Sequence, residues 1–495
     1  MTASLPASVP ARHLAGPAPA RTDSRRRGAW PIAALVVAVC WLVGRLGDPQ
    51  GVAFGQTGPG TVPSGPVKVS ASAGTVAKRR PQLAFDSASR VVYMVWEEGT
   101  GNSTDLYYSW RDPSTGNWDT PRQVTSNADA ARWPSGTGEF FPHIQVDPNG
   151  NLHVVFGAER SGTIGRGAYY TVGSNLTAQP AGSESWTTPL RLDCTTAACT
   201  SGSLQNLDNT RLYVRDDPGS TPGGVYPAVG YVLWTGNTDG SNKLRLSRVG
   251  YNGGTVTRID PDLSGGSWTP LSNPVSTSVG PVAVLRIDNS TLQLVYAGKN
   301  LASGNGFWGA SLALNTGPGV GVSWSATRAF LAGTNGDDCS VAGCTGATAV
   351  RDSSTTWIAA NFDQTSPAVA HAVQVTMNGV AETLTDARAG RQPVIVYNSS
   401  GTGNMVLVYN QCTYVSASSC TSKDLYYRVH PSAGSWGAAN ATGPTTGEQR
   451  DIAALVVEPD VPADVGPDLH YAWVGNSQSA AEPGDQVYFQ VVQAP

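Results

Sequence analysis

Short apolar runs alternate with polar breaks along the chain from about residue 66 onward. The runs are rich in Val, Ile, Tyr and Trp, which favour β-strands, and the breaks consist of Gly, Ser, Asn, Asp and Pro, which favour turns. Only 4 of the 495 residues are Met and 14% are charged, which argues against long helices. The pattern predicts an all-β protein.

A Gly/Ser-x-Trp turn recurs along the chain, with its tryptophans at Trp118, Trp186, Trp268, Trp324 and Trp436. The gaps between these tryptophans are 68, 82, 56 and 112 residues, and the last is twice 56, with Ala381 at the halfway point. Each interval contains three apolar runs before the turn opens a fourth. The period therefore predicts repeated units of four strands.

A seventh unit begins at Arg450 and has three strands before the chain stops at Pro495. The segment Pro66–Ser70 has the pattern of the missing fourth strand. We therefore predict a seven-bladed β-propeller with four-stranded blades, in which the N-terminal strand closes the last blade. The propeller is expected over 56–495, with blades starting near 79, 140, 210, 280, 347, 391 and 450. The alternatives are two β-sandwiches and a ring of six or eight blades.

The first 55 residues predict an export signal and a disordered N-terminus. Arg25, Arg26 and Arg27 precede an apolar run over 29–44, the order of an export signal, and the run is shorter than the about 20 residues that span a bilayer. The residues just before Gln56 include small ones, which is typical of a signal cleavage site, so we expect cleavage before Gln56. We expect a secreted or cell-envelope protein, which contacts the membrane only if the segment stays uncleaved as an anchor.

Six of the seven cysteines follow the signal and fall into three close couples. The couples are Cys194/Cys199, Cys339/Cys344 and Cys412/Cys420. Short spacings and an even number in an exported chain indicate local disulfides. A zinc site is the alternative, but no second Cys or His pair lies nearby, so no metal is expected.

Charge and motifs restrict the function further. The net charge of −4 comes without a basic stripe, so nucleic acid is not an expected partner. The sequence has no Gly-x-Ser-x-Gly elbow, phosphate loop or His-Glu-x-x-His string, so no cofactor is expected and catalysis is not indicated.

The segment 109–118, SWRDPSTGNW, resembles the Asp-box turn of sialidase-like (BNR-repeat) β-propellers. The other copies are degenerate, and His430 stands at the aspartate position of one of them. Sialidases usually have six blades, so seven is a departure. In that family the box is a structural turn remote from the active face, so the resemblance concerns the fold.

Four arginines, Arg79, Arg80, Arg391 and Arg450, precede the first strands of blades one, six and seven, which are neighbours in the ring. Guanidinium groups converging there would bind an anion. Sialidases hold the substrate carboxylate with three arginines, and Arg80-Pro81 is similar to the first of these. Solvated arginines paired with acids are the alternative.

Further candidates are expected on the same face of the ring. The acidic ones are Glu97, Glu98, Glu139 and Glu159, and Trp133 is a candidate for stacking on a sugar ring. The sequence favours a non-catalytic recognition module for a glycan or another cell-surface ligand. The alternatives are a sialidase-like glycoside hydrolase that uses the arginine-rich rim and a purely structural surface protein.

Overall fold

The structure is a computed structural model. The chain divides into two units, Met1–Gln56 and Thr57–Pro495, and every described residue belongs to the second unit. The described residues lie within 66–493 and exclude 72–75, 101–102, 126–140, 161–164, 179–182, 193–209, 217–225, 237–242, 260–278, 302–303, 315–321, 334–346, 353, 363–371, 378–379, 389–392, 399–402, 417–418, 443–448, 458–467 and 478–483.

The described residues form 29 β-strands and no helix. Strand β1 is Val67–Lys68. Blade 1 contains β2 (Ala77–Phe85), β3 (Val92–Thr100), β4 (Ser103–Arg111) and β5 (Arg122–Gln123). Blade 2 contains β6 (His143–Val146), β7 (Leu152–Arg160), β8 (Gly165–Ser174), β9 (Ser185–Trp186) and β10 (Leu190–Arg191). Blade 3 contains β11 (Thr210–Asp216), β12 (Ala228–Gly236), β13 (Lys243–Asn252) and β14 (Thr255–Arg258).

The remaining four blades follow in chain order. Blade 4 contains β15 (Val279–Arg286), β16 (Thr291–Leu301), β17 (Gly304–Leu314) and β18 (Val322–Gly333). Blade 5 contains β19 (Ala347–Arg351), β20 (Thr356–Phe362), β21 (Ala372–Met377) and β22 (Val380–Arg388). Blade 6 contains β23 (Val394–Tyr397), β24 (Met405–Ser416), β25 (Ser419–His430) and β26 (Asn440–Thr442). Blade 7 contains β27 (Gln449–Val457), β28 (Asp468–Ser477) and β29 (Gly484–Gln493).

These strands confirm the seven-bladed β-propeller. Within the described residues they form seven antiparallel sheets, and the first strand of each sheet contacts the first strand of both neighbouring sheets around the ring. The N-terminal strand closes the ring as predicted, because β1 pairs with β29 and completes blade 7. Ser70 strengthens this closure, since its Oγ donates to Oε1 of Gln486 at 2.6 Å and accepts from the Val487 N–H at 3.1 Å.

Apolar packing between blades explains why the second strands are apolar on both faces. Seven clusters of described buried side chains lie one at each junction between neighbouring blades. In β3, Tyr93 and Val95 pack towards blade 2, whereas Met94 and Trp96 pack towards blade 7. A sheet covered on both faces needs apolar residues at every position. The strand tryptophans Trp96, Trp234 and Trp473 are fully buried in this packing.

The Asp-box-like turn joins β4 to β5 and is a structural element. Asp112 accepts hydrogen bonds from the Ser114 N–H and from Thr115 Oγ1. Gly116 has φ of 72°, a left-handed conformation that favours glycine at this position of the turn. The Trp118 ring packs edge-on against Phe489 of blade 7, with 4.9 Å between centroids. The turn therefore contributes to the junction between blades 1 and 7.

Two expectations concern residues that the structure does not describe fully. The N-terminal apolar run over 29–44 lies outside the described residues, and among those described no helix is long and apolar enough to cross a bilayer. Cys194, Cys199, Cys339 and Cys344 also lie outside. Cys412 and Cys420 lie on the adjacent strands β24 and β25, opposite Lys423 and Tyr414 respectively. The three disulfides remain predictions.

Candidate functional site at the upper mouth of the channel

The first strands of all seven blades line a central channel. We call the end at which these strands begin the upper mouth, and the end at which they finish the lower mouth. A cavity of about 220 Å³ at the upper mouth is lined by residues from every blade, including Arg80, His143, Arg211, Thr348 and Ala453. This cavity lies on the side of the ring where the sequence placed the candidate residues.

Three neighbouring blades carry a strained residue at this mouth. Asp451 in blade 7, Arg80 in blade 1 and Phe141 in blade 2 have φ of 51°, 49° and 44°, a left-handed conformation that is uncommon outside glycine. In β2 and β27 these residues fall at a break in the strand register. Such strain persists only where surrounding contacts hold it in place.

Carboxylates hold two of these strained residues. Oδ2 of Asp451 accepts a hydrogen bond from the Arg80 N–H at 3.2 Å. Oε1 of Glu97 accepts one from the Phe141 N–H at 2.6 Å. In both cases the acceptor comes from one blade and the donor from the next. The two carboxylates therefore join blades 7, 1 and 2 around the mouth.

The Arg80 guanidinium completes this network. Its Nη1 donates to Oε1 and Oε2 of Glu97 at 3.2 and 3.0 Å, and its Cζ lies 3.5 Å from the centroid of the Phe141 ring. The Arg80 side chain is 15% exposed, whereas Glu97 is fully buried. Arg80 thus forms the wall of the cavity, and Glu97 lies behind it.

Burial raises the pKa of Glu97 above its ordinary value, and the Arg80 guanidinium and the Phe141 N–H oppose this rise. Removing one partner from a buried ion pair leaves an uncompensated charge and costs about 3–5 kcal/mol. The Arg80–Glu97 pair is therefore a structural requirement of the mouth.

A second arginine, Arg211, joins blades 2, 3 and 4. Its Nη1 donates to Nε2 of His143 at 3.0 Å, and its Nε donates to the carbonyl of Val282 at 2.9 Å. Burial and the charge of Arg211 hold the pKa of His143 well below its usual value. The imidazole is therefore neutral at neutral pH, accepting through Nε2 and carrying its proton on Nδ1.

The opposite wall of the mouth, formed by blades 4, 5 and 6, is apolar with one hydroxyl. Thr348 Oγ1 donates to the carbonyl of Pro393 at 3.0 Å and accepts from the Ile395 N–H at 3.1 Å, which joins blades 5 and 6. The rest of this wall is formed by Val282, Ala347, Ala349 and Val394. The cavity thus combines polar groups on one side with an apolar surface on the other.

The structure separates the sequence candidates. It brings Arg80 and Glu97 together at the mouth, with Arg79 half-buried beside them in β2 and opposite Glu97. Glu98 points to the other face of β3, where it is 7% exposed and accepts from Trp96 Nε1 at 2.9 Å. Glu97 and Glu98 therefore do not share one site.

The other candidates are not described in full. The backbone of Glu159 lies in β7 and that of Arg450 in β27. Arg391, Glu139 and Trp133 lie outside the described residues. That these five residues lie at the upper mouth remains a prediction.

The sequence candidates did not include Phe141, His143, Arg211, Gln82 and Thr348, which also line the cavity. A signal for the first was present, because Phe141-Pro142 repeats the pattern of Arg80-Pro81 at the start of a first strand. The sequence around His143 and Arg211 has no such signal, because the hydrogen bond between them joins two different blades.

Comparisons with known proteins give matches in structure alone. No protein-family model matches the chain, and no curated protein matches it. The chain is similar to the NanB sialidase from Streptococcus pneumoniae, with 11% identity and a TM-score of 0.41, over 88% of this chain and 71% of that one. It is similar to the intramolecular trans-sialidase from Ruminococcus gnavus, with 10% identity and a TM-score of 0.44, over 86% and 96% of the two chains.

A third similar structure is the GH93 α-L-arabinofuranosidase of Fusarium graminearum, with 9% identity and a TM-score of 0.40, over 87% of this chain and 98% of that one. The seven-bladed ring itself is shown by the strand pairing described above.

Proposed function

We propose that this chain is an exported, non-catalytic recognition module whose upper mouth binds one neutral sugar unit of a glycan or of a similar cell-surface ligand. The observation that carries the proposal is the ion pair between Arg80 and Glu97. An anion site would need the Arg80 guanidinium and a hydrolase would need the Glu97 carboxylate, but here the two groups bind each other.

The carboxylates support binding without catalysis. A glycosidase needs carboxyl groups that reach the scissile bond. Glu97 is fully buried behind Arg80, and the known acceptor roles of Glu97 and Asp451 are to hold strained backbone N–H groups of the next blade. Moving either carboxylate towards a substrate would break these contacts.

The lining of the cavity supports a sugar as the ligand. Sugar rings combine hydroxyl groups with apolar faces, and the mouth combines Gln82 and His143 with an apolar wall at Val282 and Ala347. Its volume of about 220 Å³ is below the about 300–1,000 Å³ of sites that enclose drug-sized ligands, so we expect a single ring to enter.

Binding is tested by calorimetry with neutral and acidic monosaccharides on Gln82→Ala. Losing one hydrogen bond of about 0.5–1.5 kcal/mol should weaken neutral-sugar binding by about 2- to 10-fold. Gln123→Ala is the matched control, because Gln123 lies on the outermost strand of the same blade and is exposed. Equal affinities in both variants would contradict a site at the mouth. Trp133→Ala tests the predicted stacking residue in the same assay.

The second candidate is a sialidase-like hydrolase, favoured by the position of Arg80 next to Pro81 at the cavity wall. It predicts cleavage of a fluorogenic sialoside that Arg391→Ala and Arg450→Ala abolish and that Gln123→Ala preserves. Such cleavage would replace the recognition proposal. If the protein neither cleaves the sialoside nor binds a sugar at millimolar concentration, the remaining hypothesis is a purely structural surface protein.

Export is tested on the secreted protein itself. N-terminal sequencing should give Gln56, and peptide mapping should join Cys194 to Cys199, Cys339 to Cys344 and Cys412 to Cys420. A long-range pairing would contradict the assignment of these cysteines to local loops.

A further inference from the structure

The lower mouth of the channel holds a larger cavity than the upper mouth, about 650 Å³ against about 220 Å³. Its walls come from the ends of the first strands of blades 1 to 4 and from the hairpins that follow these strands in blades 1, 2 and 4. This volume lies within the range of small-ligand sites.

The two carboxylates in this cavity are turned into their own hairpins. Asp86 is 6% exposed and accepts from the Ala88 N–H at 2.9 Å. Asp147 is 2% exposed and accepts from the N–H groups of Asn149 and Asn151, each at 2.9 Å, and from His153. Burial raises the pKa of Asp147, but the hydrogen bonds from His153 and Asn151 outweigh it and hold this pKa below its ordinary value. Both acids therefore accept hydrogen bonds from the hairpins that follow their own strands.

Two arginines from adjacent blades form the facing wall. Arg215 lies near the end of β11 in blade 3, and Arg286 is the last residue of β15 in blade 4. Arg286 is exposed, and its Nη2 donates to Oδ1 of Asn289, which fixes the direction of the guanidinium. Tyr213 lies on the same wall, packed against the apolar cluster between blades 3 and 4.

Electrostatics and rigidity support this arrangement. Burial raises the pKa of Tyr213, and the charges of Arg286 and Arg215 both oppose the rise, so both guanidinium groups are within electrostatic reach of its hydroxyl. The Val214 N–H donates to Oε1 of Gln145 at 2.6 Å, which fixes this end of β11 against blade 2. Little reorganisation is needed for a ligand to enter.

We propose that the lower mouth is a second binding site, in which Arg215 and Arg286 bind the oxyanion, a carboxylate or a sulfate, of an acidic ligand. A guanidinium group donates two parallel hydrogen bonds to such a group. The two arginines contact the oxyanion from adjacent blades, and Tyr213 contributes its hydroxyl. This site is independent of the sugar site proposed at the upper mouth.

The experiment titrates the full chain with D-glucuronate, glucose 6-sulfate and glucose and measures affinity by calorimetry. We expect both anions to bind and glucose not to bind at this site. Arg286→Gln should weaken the binding of both anions by about tenfold, equivalent to about 1.4 kcal/mol. Arg215→Lys keeps the positive charge but loses the two parallel N–H donors of the guanidinium group. It should weaken anion binding and leave folding intact. The ratio of the two anion affinities shows which oxyanion the site prefers.

Arg351→Gln is the matched control. Arg351 occupies the end of β19, the position of Arg286 in the next blade, but lies outside the cavity and donates to Gln293 and Thr356. It should leave anion affinity within about twofold. Equal losses of anion affinity in Arg286→Gln and Arg351→Gln would overturn the proposal, and so would a loss of glucose affinity in Arg286→Gln as large as its loss of glucuronate affinity. Gln82→Ala at the upper mouth should leave glucuronate affinity at this site unchanged.

Discussion

The two mouths of the channel use the same residue types in opposite ways. At the upper mouth, Arg80 and Arg211 are held by Glu97, His143 and backbone carbonyls, and the carboxylates hold strained backbone. At the lower mouth, Asp86 and Asp147 are held by their own hairpins, and Arg215 and Arg286 line the cavity. Arginines line the cavity at both mouths, but the carboxylates nearby hold the next blade at the upper mouth and their own hairpins at the lower mouth.

The largest expected effect tests the structural role of charge at the upper mouth. Glu97→Gln removes the buried carboxylate that pairs with the Arg80 guanidinium and should lower the free energy of unfolding by about 3–5 kcal/mol. Denaturant titration measures this loss. Glu382→Gln, at an exposed position in β22, is the control and should leave stability unchanged. A loss below about 1 kcal/mol in Glu97→Gln would mean that the pair is not structural.

A smaller loss is expected at the lower mouth from Asp147→Asn. An amide has one acceptor oxygen and two donors, so it cannot accept from Asn149, Asn151 and His153 together, and the expected cost is about 1–3 kcal/mol. Asp288→Asn is the matched control, because Asp288 occupies the corresponding hairpin of blade 4 but is exposed. Equal losses in the two variants would show that burial of the hairpin acid is unimportant.

Acid should weaken the upper mouth through His143. Its pKa is lowered in the fold, so below about pH 6.5 the unfolded chain binds a proton that the folded chain does not. The free energy of unfolding should therefore decrease as the pH is lowered, by at most about 1.4 kcal/mol for each pH unit. Denaturant midpoints at about pH 7.5 and 5.5 measure this dependence.

His143→Gln keeps an acceptor for Arg211 and should reduce the pH dependence. It should not abolish it, because burial lowers the pKa of His470 in blade 7 to about 3, and that residue destabilises the fold in the same pH range. An unchanged slope in His143→Gln would assign the dependence to other groups.

The smallest effect on stability is expected for Arg286→Gln. Its side chain is exposed at the lower mouth, and exposed substitutions usually change stability by no more than about 0.5 kcal/mol. Differential scanning calorimetry should therefore show nearly the same melting temperature as the unchanged chain. A large loss would make Arg286 a structural residue like Arg80 and would remove the contrast between the two mouths.

The repeat in the sequence is sufficient to determine the fold class. The period of the Gly/Ser-x-Trp turns and the unmatched strand at Pro66–Ser70 together predicted seven blades and a closing N-terminal strand, and β1 pairs with β29 as expected. Strand pairing within a blade and turn formation are local, so residues close in sequence encode them. Arg80 and Glu97 were likewise among the candidates, because Arg80 precedes Pro81 and Glu97 follows Trp96 at the end of an apolar run. The expectation that Arg79 and Arg80 precede the first strand was wrong, because β2 already begins at Ala77.

Tertiary structure alone decided what those residues do. The sequence placed Glu97 and Glu98 together, but they point to opposite faces of β3, Glu97 towards Arg80 and Glu98 towards Trp96. Asp451 lies 371 positions from Arg80 in the chain and touches it only because the ring closes. The burial that sets the pKa values of Glu97 and His143 also comes from neighbouring blades. Strand patterns are local and can be read from the chain, whereas charge pairing and desolvation depend on contacts between blades that form only in the closed ring.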